Sequence, residues 1–139
     1  MQTRPNLNIL LAEDNPVNRK VALIALKKLG LKADTAENGM EVLVALEEHH
    51  YDLVLMDIQM PEMDGIEATK IIRKRWSQGP KIIVVTSMQP DISRDLCYDV
   101  GADDYLNKPV KIDELGAAIE RNMLGIGLNT TADAQALYV

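Results

Sequence analysis

YDLVLMDIQMPEMDG, residues 51–65, reads as a strand that ends in an acid and then a turn that leads into a helix. Tyr51 to Met56 form a short, nearly continuous apolar run, the pattern of a parallel strand covered on both faces. Asp57 follows it, and Pro61 and Gly65 bend the chain back toward a helix expected from about Ile66 to Arg75.

The alternation of strand and helix continues on both sides of this stretch. Strands are expected at NILLAE (Asn8 to Glu13), LKADTA (Leu31 to Ala36), KIIVVT (Lys81 to Thr86) and DYLN (Asp104 to Asn107), the second and last of the five being polar enough for sheet edges. Asn15-Pro16 caps a first helix, which lines Val17, Val21, Ile24 and Ala25 on one face and stops at Gly30. Asn38-Gly39 opens a second through about Glu48. Ile92, Leu96 and Val100 give the fourth an i, i+4, i+8 stripe ended by Gly101, and the fifth, after Pro109, carries Ile112, Leu115, Ile119 and Met123. Five strands alternating with five helices predict an α/β fold, a doubly wound parallel sheet that binds ligands beyond the carboxyl ends of its strands. One domain is expected over residues 1–124, with 125–139 as a C-terminal tail or linker.

With 139 residues, 47% hydrophobic and 26% charged, the chain is large enough to build one core without disulfides, and its single Cys97 has no internal partner. A net charge of −6 argues against nonspecific binding to nucleic acid or anionic membrane. No apolar run approaches the roughly 20 residues of a membrane helix, and the expectation is a cytoplasmic monomer.

The predicted strand ends bring Glu13, Asp14, Asp57, Thr86 and Lys108 to one edge. Like-charged carboxylates about 4 Å apart repel by on the order of 4 kcal/mol at an effective dielectric near 20, so cations are required. Lys108 is one, and a magnesium ion suits a set of oxygen ligands, whereas His49 and His50 fall elsewhere and give no zinc set. A carboxylate beside magnesium can form an aspartyl phosphate, and Asp57, fixed by a buried strand, is the expected nucleophile, with Thr86 and Lys108 holding phosphoryl oxygens.

The acidic pair Glu13-Asp14, LVLMDIQMPEMDGIEA around Asp57, Thr86, and YLNKPV with Lys108 together resemble the response-regulator receiver domains of two-component signalling, from about Asn8 to Met123. The resemblance implies a flavodoxin-like sheet of order 2-1-3-4-5. It implies that magnesium is held by Asp14, Asp57 and the Gln59 carbonyl, with Glu13 acting through water, and that Tyr105 turns inward when Thr86 moves toward a phosphoryl group. AEDNPVNRKVA and IQMPEMDGIEATKIIR look most like receivers of hybrid histidine kinases, so a histidine kinase or histidine-containing phosphotransfer protein is the expected partner. Such a domain catalyses only its own phosphorylation and dephosphorylation. Ser87 departs from the family, where Ala or Gly is more usual.

An aspartyl phosphohydrolase usually needs a second acid two residues after the nucleophile, and that position is Gln59. A flavin or nucleotide carrier needs a phosphate cradle where this chain has carboxylates. The partner is expected to dock on Pro16, Asn18 and Ala22 of the first helix, with Leu26 at the margin and Asn18 and Arg19 as a polar border. Met88 has no group to orient an attacking water, which predicts slow loss of phosphate.

Overall fold

The computed structural model describes residues 7–87 and 90–123, except for the side chains of residues 90–93. Met88, the side chain of Ile92 and the tail 125–139 therefore lie outside the described residues. Five strands, β1 (Ile9–Ala12), β2 (Ala33–Ala36), β3 (Leu53–Asp57), β4 (Lys81–Thr86) and β5 (Asp104–Asn107), alternate with α1 (Pro16–Lys28), α2 (Gly39–Glu48), α3 (Gly65–Arg75), α4 (Pro90–Asp99) and α5 (Ile112–Asn122). All strand pairs are parallel, in the order β2-β1-β3-β4-β5.

Alternation along the strands explains the continuous apolar runs. Ile9, Leu11, Leu53, Leu55 and Ile83 point to one face and pack with Leu26, Leu115 and Ile119 of α1 and α5. Leu10, Ala12, Val54, Met56, Ile82 and Val84 point to the other, against Val42, Ala68, Ile72 and Cys97 of α2, α3 and α4. Each fully buried Leu or Ile contributes about 1.5–3 kcal/mol, so two such layers drive the fold. Arg73 braces the second layer, with Nε donating to the Gly101 carbonyl, Nη1 to Pro80 and Nη2 to Asp103 at 2.6–2.8 Å.

Helix α1 begins at the Asn15 cap, whose side chain accepts from the Val17 and Asn18 amides. It ends in a Schellman turn: Gly30 at φ 82° donates to Lys27, and Leu31 to Leu26. The expected face of α1 is corrected. Val17, Val21 and Ile24 are 69%, 59% and 47% exposed, while Ala25 packs against the core as expected and Leu26 and Leu29 are buried. Leu26 is thus unavailable to a partner, because the crossover from β1 to β2 turns its side of the helix onto the sheet. In α4, likewise, Cys97 enters the core and Leu96 faces outward. The strand limits also move: β1 stops at Ala12, β2 starts at Ala33, and β3 runs from Leu53 to Asp57 instead of Tyr51 to Met56. Among the described residues no helix is long and apolar enough to cross a membrane.

Candidate functional site

The strand order reverses between β1 and β3, whose carboxyl ends open a crevice with α1 on one side of the sheet and α2 on the other. Glu13 and Asp14 leave β1 there, and Asp57 closes β3. One oxygen from each of these three carboxylates lies within 4.8 Å of the others. Glu13 and Asp57 are buried, and Asp14 is less so.

Lys108, just beyond β5, bridges two of the acids, with Nζ 2.9 Å from Glu13 Oε1 and 3.3 Å from Asp57 Oδ2. Its backbone amide donates to the Thr86 carbonyl at 2.8 Å, which ties the end of β4 to the loop that carries the lysine. Burial pushes the Asp57 carboxyl up to about 6, the Lys108 charge opposes the rise, and Glu13 adds to it. Burial alone would depress Lys108, but its hydrogen bond to Glu13 and the charges of Asp57 and Glu13 outweigh that and raise its pKa.

Thr86 is 1% exposed and shares its strand face with Ile82 and Val84, the face onto which Tyr105 packs. Tyr105 is half-buried, with its ring edge-on to Tyr98 at 6.2 Å between centroids. The Gln59 amide lies 3.4 Å from Asp57 Oδ1, so the chain turns tightly around the nucleophile candidate. Pro16 and Asn18 are exposed and Ala22 is half-buried, and a groove of about 240 Å³ runs beside Asn18, Val21 and Ala22 toward Glu13, Lys108 and Pro109. A larger hollow of about 840 Å³, lined by His49, Asp52, Arg75 and Trp76, lies at the amino-terminal ends of β3 and β4, away from the carboxylates.

Gly65 and Arg19, both named from the sequence, make contacts at the site that the sequence reading missed. A Cβ on Gly65 would stand 2.2 Å from the Asp57 carbonyl, so only glycine lets α3 start against the strand end. Arg19 donates from Nη1 to the Glu13 carbonyl at 2.9 Å, a contact that depends on α1 folding back against the strand it leaves.

The oxygen-only cluster with a lysine across it fits a hard divalent cation, since no His or Cys belongs to it. The family model of the response regulator receiver domain matches residues 9–120. The chain belongs to that family. As a receiver of two-component phosphorelay systems it is 36% identical over 137 residues to hybrid signal transduction histidine kinase K of Dictyostelium discoideum, a match covering 88% of this chain and 11% of that protein. The receiver spans about a tenth of the length of such curated relatives.

Its backbone also matches the receiver domain of sensor histidine kinase PA1611 from Pseudomonas aeruginosa, solved with magnesium coordinated in the active site cleft. That match has 36% identity and a TM-score of 0.77, over 84% of this chain and 97% of that one. A second match is a Saccharomyces cerevisiae co-crystal of the histidine phosphotransfer protein Ypd1 with the receiver of Ssk1, with 32% identity and a TM-score of 0.74, over 85% and 89% of the chains.

Proposed function

We propose that Asp57 accepts a phosphoryl group from a partner's phosphohistidine and passes it on or switches in response. The observation that carries this reading is the convergence of the Glu13, Asp14 and Asp57 carboxylates within 4.8 Å, with Lys108 bridging two of them. An Asp57 oxygen attacks phosphorus, the phosphorus–nitrogen bond to the partner imidazole breaks, and the histidine leaves with its electron pair. Asp14, Asp57 and the Gln59 carbonyl would hold magnesium, with Glu13 acting through water. When bound, the ion neutralises charge on the phosphoryl oxygens. The Lys108 ammonium and Thr86 hydroxyl bind two of those oxygens, and the low exposure of Asp57 keeps bulk water away.

Tyr105 reports the phosphorylated state by following Thr86 inward, on the face that both share. The partner, a histidine kinase or histidine-containing phosphotransfer protein, covers the rim formed by Pro16, Asn18 and Ala22. The groove beside Asn18 and Ala22 supports this, because it leads from α1 to Glu13 and Lys108. The receiver acts as a cytoplasmic monomer that catalyses only its own phosphorylation and dephosphorylation.

A small phosphodonor with magnesium should add one phosphate to the wild type and none to Asp57→Asn. A phosphate of equal stability on Asp57→Asn refutes the assignment. Ala22→Glu should still accept phosphate from the small donor but receive it poorly from a phosphotransfer protein, and unimpaired transfer removes the docking surface.

A further inference from the structure

We infer that Arg19 is a positioning residue of this site, holding the turn between β1 and α1 in the shape that directs the Glu13 and Asp14 carboxylates toward Asp57. The inference rests on the phosphoacceptor and magnesium reading given above.

Strand pairing ends just where the acids begin. The Glu13 amide still donates to the Ala36 carbonyl at 3.0 Å, but β1 itself stops at Ala12. The Glu13 carbonyl, at the end of a central strand, accepts instead from Arg19 Nη1 at 2.9 Å. That carbonyl belongs to the peptide joining Glu13 to Asp14, so rotation of this peptide swings the Asp14 carboxylate.

Other bonds hold the flanks of the turn. Asn15 caps α1, its amide lies 3.3 Å from Glu13 Oε2, and the Arg19 amide donates to the Asn15 carbonyl at 2.9 Å. The guanidinium closes the ring from the far side, and as a planar, permanently charged fork it fixes direction better than an ammonium on a flexible stem. Its contact is with the Glu13 backbone carbonyl, whereas Lys108 reaches the Glu13 and Asp57 carboxylates themselves. A sparse metal site depends on such support, because a ligand displaced by about 1 Å binds little better than water.

Arg19 also borders the α1 rim, so transfer from a partner cannot separate positioning from docking, and the isolated domain must be tested. Arg19→Met keeps the aliphatic stem and removes the donor. Magnesium titration followed by the Asp14 and Asn15 amide resonances should show affinity about three- to tenfold weaker than wild type. The rate of phosphorylation by a small phosphodonor should recover once magnesium is raised to saturation, because Asp57 and Lys108 are untouched. Wild-type magnesium affinity in Arg19→Met overturns the inference, as does a rate deficit that saturating magnesium leaves in place. Should Arg19→Met not fold, Arg19→Lys is titrated in the same way, and wild-type affinity there overturns it equally. A wild-type domain whose resonances ignore magnesium overturns the metal reading itself, before any variant is made.

Discussion

Lys108 Nζ stands 3.3 Å from Asp57 Oδ2, and the same ammonium reaches 2.9 Å to Glu13 Oε1. One cation thus serves two buried carboxylates, and burial dominates the titration of Asp57, whose carboxyl is pushed up to about 6. The domain holds this acid in place at a cost to its own stability.

The pH dependence follows from that shift. An acid whose pKa is higher folded than unfolded favours folding fully below its unfolded value, about 4 for aspartate, and the benefit is lost as pH rises through the folded value. In metal-free protein Asp57→Asn should therefore melt several degrees above wild type near neutral pH, with the advantage fading between about pH 6 and 4. Thermal unfolding across that range in a chelator checks it, and a constant difference contradicts it.

Asp14 is the least buried of the three acids, so its replacement should disturb metal binding more than folding. Asp14→Ala should weaken magnesium binding by about tenfold or more while leaving stability within about 0.5 kcal/mol of wild type. An unchanged magnesium titration would remove Asp14 from the ligand set.

Thr86 and Tyr105 share one face of the sheet, and Lys108 is tied to Thr86 through its backbone. Thr86→Ala should still take phosphate on Asp57 but lose most of the response at Tyr105 and Tyr98. Amide spectra of the phosphorylated variant decide the matter, and a full wild-type shift at β5 would show that coupling runs elsewhere.

Glu62 adopts φ 67° in the loop after β3, a left-handed conformation that β-carbon-bearing residues disfavour. Glu62→Gly should stabilise the domain by about 1 kcal/mol, with phosphorylation unchanged. Denaturant unfolding measures the gain, and a loss of stability would mean that the Glu62 side chain makes a compensating interaction.

Much of this was legible in the chain, because local chemistry carries it. Asn15, Asn38 and Asp64 sit as helix caps, the first two as their sequence context predicts, and the apolar runs of β3 and β4 could only be strands covered twice. Asp57 was legible for the same reason, since a charge directly after such a run must stand at a strand end. The strand order β2-β1-β3-β4-β5 is the one that the resemblance to receiver domains implied, and the tertiary structure alone decided which way each helix turns and which side chains meet across elements. Val17 and Val21 have the spacing of a core face, yet the crossover of α1 gives that place to Leu26 and Leu29. Leu96, part of the stripe expected in α4, likewise faces outward. The Lys108 bridge needs β5 at one edge of the order β2-β1-β3-β4-β5 and a loop that reaches back to β1 and β3, and the Arg19 contact needs α1 folded against the strand it leaves. Periodicity records how often a side chain returns to a face, whereas the direction of that face is set by the free energy of packing the whole sheet.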